Sequence, residues 1–361
     1  MSRAKGSNQK LSRIIQNVEK SFEKKDYYGG EQMLKTVYTR LLNQENYEDA
    51  SYLLQQGALK SFSHQQVNGG IYISKAYLKG VDLLDVWKKS GKILDDDKCK
   101  FLLECYSLIP PDELLLQERF VKNVVEWANL LINSTHNKAS TGAKKGTETA
   151  FQLPELSPEQ CLLVQKNVRQ LYKKYGLSLY FNNKHYFNAS QMLIKAGEVT
   201  PLIDLYADWT QNAPPKERPF FLTRMILQFL CLCDVSNARQ LIDAITPNCL
   251  SFSFYSPFLL LKNKHFFFFL LLGECVLFRD AHQKNWKDDS RHPLENMCDL
   301  LVESFERKSV SLYQIVLNTY RPLLMKDEQL LHFVNKAAHL CLGVPAEGGG
   351  GFFQNLLSML S

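Results

Sequence analysis

The sequence predicts an all-α chain, a tetratricopeptide-like α-solenoid of stacked helical hairpins, and three observations carry that prediction. A large-small-large signature recurs at Tyr27/Gly30/Leu34, Tyr47/Ala50/Leu54, Tyr186/Ala189/Leu193 and Val235/Ala238/Ile242. Offsets of three and seven share one helical face, and a small residue between two large ones lets a neighbouring helix approach closely. Each copy also follows a polar, turn-like stretch such as Asn43-Gln44-Glu45-Asn46, Asn182-Asn183-Lys184 or Asp234. Finally, apolar residues keep helical spacing through most of the chain. Arrays of this kind present long surfaces and hold other proteins more often than they perform chemistry.

The elements follow in order. Leu11, Ile14, Ile15, Val18 and Phe22 mark an amphipathic first helix, with Tyr27 to Leu42 and Tyr47 to Phe62 as the next two. Gly69-Gly70 interrupts the chain before Ile71 to Trp87, and Asp97 to Leu108 is stopped by Pro110-Pro111. Asp112 to Ile132 completes an N-terminal half at 1–132. Residues 133–158 turn to Ser, Thr, Lys, Gly and Pro around the island Phe151-Gln152-Leu153, which reads as a flexible linker or loop insertion. Helical pattern resumes at Glu159 to Tyr175 and Leu177 to Ala196. Pro214, Pro215 and Pro219 then mark a turn before Phe220 to Cys233. Leu294 to Glu306, Val310 to Tyr320 and Leu330 to Leu342 close the C-terminal half, 159–342.

Two segments depart from the pattern. In the atypical insertion 250–291, Leu250-Ser251-Phe252-Ser253-Phe254 alternates like a half-buried strand and admits a short β-hairpin near 250–262. The run Phe266 to Leu272 is strongly apolar, but a membrane span needs about 20 such residues, and Lys262 to His265 and Glu274 bound it. The tail, 343–361, passes through Gly348 to Gly351 into Phe352, Phe353, Leu356, Leu357 and Leu360, which share one face of a short helix. A tethered amphipathic helix suits a partner's groove and equally suits its own body.

Bulk properties exclude several classes. Of 361 residues, 45% are hydrophobic and 22% charged, a globular balance that rules out dominant disorder. Basic residues crowd the first 25 positions with no apolar stretch among them, so no secretory signal is expected and the cytosol is the expected compartment. Nine scattered cysteines without a CxxC read as reduced, mostly buried thiols. The net charge of +6 raises nucleic acid as a partner, but no RNP-like motif, zinc finger or helix-turn-helix supports it, and no nucleic acid is expected.

Chemical motifs are missing. The sequence has no Gly-x-Ser-x-Gly elbow, His-Glu-x-x-His pair or Gly-x4-Gly-Lys-Ser/Thr loop, so neither catalytic residues nor a cofactor are assigned. Cys231-x-Cys233 and the set Cys275, His282, His292, Cys298 match no common zinc module, and no metal is assigned. Asp95-Asp96-Asp97 reads as an acidic helix start that complements the helix dipole.

Specific residues resemble a known family. Lys25-Asp26-Tyr27-Tyr28 with Gln32-Met33, then Arg40, Tyr47, Ala50 and Gln56-Gly57-Ala58-Leu59 up to Phe62-Ser63-His64, resembles the N-terminal block of the Golgi to ER traffic protein 4 family. Gln228-Phe229-Leu230-Cys231-Leu232 with Asn237-Ala238 is similar to a later block. So is the ending Gly343-Val344-Pro345, a glycine spacer and Phe353-x-x-Leu356-Leu357-Ser358-x-Leu360. The resemblance implies a right-handed stack of helical hairpins. It also implies a non-catalytic cytosolic adaptor in the guided entry of tail-anchored proteins to the endoplasmic reticulum. The N-terminal half would engage the targeting ATPase, and the C-terminal half a ubiquitin-like co-factor or a ubiquitin-domain scaffold. Tyr27, Tyr28 and Arg40 fall in the matching block as ATPase-side residues, with Tyr27 equally suited to the core. Phe352, Phe353, Leu356, Leu357 and Leu360 are the C-terminal partner-binding residues. Residues 133–158 look longer than the family's connection, and 250–291 looks inserted near its co-factor site. The competing readings are a membrane-associated protein anchored by residues 266–272 and a generic helical-repeat scaffold.

Overall fold

In a computed structural model, the residues described are 2–63, 82–140, 154–211, 213–245 and 292–345. Among them the chain is all-α, without a strand. The helices are α1 (Ser2–Glu23), α2 (Tyr27–Asn43), α3 (Tyr47–Ser63), α4 (Asp96–Ser107), α5 (Leu114–Ser140), α6 (Pro158–Phe181) and α7 (Tyr186–Ala196). They continue as α8 (Val199–Gln211), α9 (Arg218–Cys231), α10 (Val235–Ile245), α11 (Pro293–Glu306), α12 (Val310–Leu324) and α13 (Glu328–Leu342). A further helical stretch covers 82–89. The segment 250–262 with its expected hairpin, the run 266–272 and the tail beyond residue 345 lie outside the described residues.

The hairpins are joined by one repeated turn. Lys25, Glu45, Lys184, Cys233 and Lys308 carry φ of 64°, 54°, 55°, 56° and 50°, and two residues later α2, α3, α7, α10 and α12 begin. That left-handed step ends the preceding helix by turning the next N–H back onto it. Asp26 N–H bonds Ser21 O at 2.8 Å, Asn46 bonds Leu41 O at 3.0 Å, Asp234 bonds Phe229 O at 3.0 Å and Ser309 bonds Ser304 O at 2.9 Å. The same residue then caps the next helix: Asp26 accepts from Gly29 N–H at 2.9 Å, and Ser309 accepts from Leu312 N–H at 3.2 Å. One residue thus closes one helix and opens another.

The signature residues sit where those turns aim them. Gly30, Ala50, Ala189 and Ala238 are buried, as are Leu34, Leu54, Leu193 and Ile242, whereas the large first residues are half-buried. A Cβ built on Gly30 would stand 2.5 Å from Cε1 of Phe22, so α1 and α2 approach closer there than any side chain allows. The turn before α12 lacks the small residue: Tyr313 takes its place, its ring tilted against Phe305 at 6.2 Å, and donates its hydroxyl to Asn335 at 3.2 Å.

The chain divides into two compact units, Met1–Met192 and Leu193–Ser361. In the first, α1, α2 and α3 pack on one another, α3 on α4, and α6 on both α4 and α5. Its core holds Trp87 and Trp127 with ring centroids 5.4 Å apart, and Trp87 Nε1–H donates to Ser51 Oγ at 2.8 Å. In the second unit α9 is central, packed against α8, α10, α11 and α13, with Ile226, Leu227, Phe229 and Leu230 buried. Arg239 of α10 clamps α11, reaching Glu306 through Nε and Nη2, each at 3.1 Å, and Asp299 through Nη1.

Three element boundaries differ from the sequence reading. Helix α5 continues to Ser140, into the stretch read as linker from Asn133, because backbone bonding does not need apolar side chains and no Gly or Pro intervenes before Gly142. Pro219, read as part of a turn, lies in the first turn of α9, where its missing N–H costs nothing. Helix α8, unassigned in the sequence, carries Pro201 in its first turn.

Candidate partner-binding surfaces

Helix α2 is held by its inner face. Gly30, Leu34, Val37 and Leu41 form the buried stripe, and Asp26 caps the N-terminus. Successive residues turn by about 100°, so Tyr28, Gln32, Lys35 and Thr39 fall on the opposite side, and all four are exposed. Tyr28 is 68% exposed, a large amount for an aromatic ring with no described partner to cover it. The Thr36 and Thr39 hydroxyls donate to the Gln32 and Lys35 carbonyls at 2.7 and 2.9 Å, which leaves less polar side-chain surface facing outward than the sequence suggests.

The three residues of the N-terminal block are not brought into one cluster. Tyr27 is half-buried with its ring 5.8 Å from Phe22, so it belongs partly to the core. Arg40 is exposed and has no ion-pair partner among the described residues. Twelve positions separate it from Tyr28, about 18 Å along the axis and about 120° around it. Tyr28 and Arg40 therefore stand at opposite margins of one outward stripe. Gln32, Lys35 and Thr39 share the Tyr28 side, and the outward offsets of four, seven and eleven in the sequence carry that signal.

Charge reinforces the surface. Lys20, Lys24 and Lys25 are exposed just ahead of α2; of the carboxylates among them, Glu19 is paired with Lys60, Asp26 caps α2 and Glu23 is exposed. The end of α1 and the outer face of α2 thus offer basic groups with an exposed tyrosine, a combination suited to an acidic protein surface. Tyr38, on the inner flank, has its phenol pushed up to about 12 by burial and then by the charges of Asp82 and Asp85. It stays neutral at physiological pH.

Helix α13 closes on a left-handed cap. Gly343 takes φ 67°, Val344 N–H reaches Ala338 O at 3.4 Å, and a ring nitrogen of His339 lies 3.0 Å from Val344 O. Phe352, Phe353, Leu356, Leu357 and Leu360 lie outside the described residues.

Among the described residues no group of three or more His, Cys, Asp or Glu is placed to hold a metal ion. Asp95 is spent on capping: it accepts from Lys98 N–H at 2.9 Å and pairs with the Lys98 ammonium, while Asp96 pairs with Lys166 at 3.3 Å. No described helix is long and apolar enough to cross a membrane, and residues 266–272 are outside that statement.

The fold is an all-α, solenoid-like stack of helical hairpins. The sequence model of Golgi to ER traffic protein 4 matches residues 168–361, more than half of the chain, and the chain belongs to that family. The Golgi to ER traffic protein 4 homolog of Oryzias latipes is 22% identical over 355 residues, spanning 97% of this chain and 88% of that protein. The homolog of Takifugu rubripes is 24% identical over 357 residues, with 97% and 88% covered, and that of Homo sapiens 22% over 356, with 97% and 86% covered. The crystal structure of C. therm. Get4 aligns with a TM-score of 0.61 at 17% identity, covering 98% of this chain and 96% of that one, which establishes the shared fold.

Proposed function

We propose that this chain is a non-catalytic cytosolic adaptor of the guided entry of tail-anchored proteins. Its N-terminal half engages the targeting ATPase, and its C-terminal half holds a ubiquitin-like co-factor or a ubiquitin-domain scaffold. The family membership carries the reading, because the match covers more than half of the chain and the curated relatives align along nearly all of it. The outer face of α2 supports the N-terminal assignment. Tyr28 and Arg40 are exposed anchor types, flanked by Lys24, Lys25 and Lys35 that would steer an acidic partner. Two anchors at separate margins fit a broad protein surface better than a small ligand.

The test is a pull-down from cytosol with the intact chain beside a Tyr28→Ala, Arg40→Glu double variant. The intact chain is expected to retain the ATPase, and the variant to lose it by tenfold or more, roughly 1.4 kcal/mol, while keeping its C-terminal partner. An intact chain that retains no such ATPase overturns the reading.

A further inference from the structure

The second unit brings two thiols together that the adaptor role does not use. Cys233 occupies the left-handed turn between α9 and α10 and is exposed. Cys341 lies in the last turn of α13, and the two Sγ atoms are 3.0 Å apart although 108 positions separate them in sequence. The neighbouring thiol, Cys231, is turned aside, donating to Phe333 O at 3.4 Å, and Cys341 donates to Leu230 O at 3.2 Å. These contacts fix α13 against the end of α9, so the Cys233–Cys341 approach is built by packing rather than by two mobile side chains. Leu232 and Leu340 beside them are half-exposed, which leaves the pair open to a small reagent from solvent.

We propose that Cys233 and Cys341 form a redox site, a dithiol in the reducing cytosol that closes to a disulfide when a low-molecular-weight disulfide such as oxidised glutathione accumulates. Closure requires the sulfurs to approach by about 1 Å, since a bonded pair sits near 2.05 Å. Cys233, the exposed thiol, loses its proton and attacks one sulfur of the oxidant; the oxidant's S–S bond breaks and one glutathione leaves as a thiol after protonation. Cys341 then gives up its proton and attacks Cys233 Sγ, breaking the mixed disulfide and releasing the second glutathione. Two protein thiols are oxidised by two electrons, and one glutathione disulfide is reduced to two thiols. Burial, and then the adjacent Cys233 sulfur, pushes the Cys341 thiol up, which makes it the second attacker rather than the first. The bond would join the α9–α10 turn to the end of α13, two residues before Gly343.

The test incubates the full chain with oxidised glutathione and maps a non-reduced digest by mass spectrometry. The expected product is a linked peptide pair holding Cys233 and Cys341, two hydrogens lighter than the separate peptides, restored to both thiols by dithiothreitol. Cys231→Ser is expected to form the same link, whereas Cys341→Ser should stop at a glutathione adduct on Cys233. Accumulation of that adduct on the unmodified chain without the link, or linkage of Cys233 to Cys231 or to a second chain, overturns the proposal.

Discussion

Lys308 holds a left-handed backbone angle, φ 50°, that costs an L-residue free energy and costs glycine little. It is exposed, and its side chain has no described partner that would be lost. Lys308→Gly is therefore expected to stabilise the second unit by about 0.5–1 kcal/mol, seen as a higher denaturant midpoint with unchanged slope. A second residue-scale prediction concerns Tyr106, whose hydroxyl donates to the buried Gln117 carbonyl at 2.9 Å while Gln117 donates to Pro110 O at 2.9 Å. Burial pushes this phenol up to about 12, against which a hydrogen bond from Ser178 acts weakly. The folded state thus holds the proton more tightly than the unfolded chain, where tyrosine titrates near 10. Its stabilising share is complete below about pH 10 and is lost as pH rises through 12. Tyr106→Phe should lower stability at pH 8 by about 1 kcal/mol and flatten the loss of stability between pH 10 and 12. Unfolding curves at the two ends of that range check it.

Between helices, the close approach at Gly30 governs the first layer. An added Cβ would meet Phe22, itself buried, at 2.5 Å, so Gly30→Ala should destabilise by about 1–3 kcal/mol despite the better helix propensity of alanine. Thermal unfolding would show it, and an unchanged midpoint would mean that α1 slides without cost. This contact was legible in the sequence, because a glycine at the third offset between Tyr27 and Leu34 already implies helices in near contact. Less legible were the helices begun by proline. Pro201 and Pro219 look like breakers in a one-dimensional reading, yet each sits in a first turn, where the missing N–H has no bond to lose. The turn before α12 shares the backbone of the others but replaces the small residue with Tyr313, so a pattern built on side-chain size passes over it. On the outer face of α2, exposure of Tyr28 and Arg40 could be anticipated from the core stripe. Their separation by about 120° follows from the twelve-residue spacing; Gln32, one turn on, is the neighbour of Tyr28, and Lys35 and Thr39 continue the same line along the helix.

At the scale of the molecule, the chain is a member of the Golgi to ER traffic protein 4 family built as two compact all-α units. Under the proposed role no bond is made or broken on client or nucleotide. In that role the chain would work by occupying two protein surfaces at once, which requires only that the surfaces be distinct. The α2 face belongs to the first unit, and the proposed role predicts that filling it leaves the second partner bound. The decisive measurement is sedimentation of the purified full chain with the targeting ATPase and the ubiquitin-domain partner, alone and together. A single complex containing all three proteins, reduced to chain plus ubiquitin-domain partner by Tyr28→Ala with Arg40→Glu, is the predicted result. Mutually exclusive pairs, or a ternary complex indifferent to both substitutions, would contradict it.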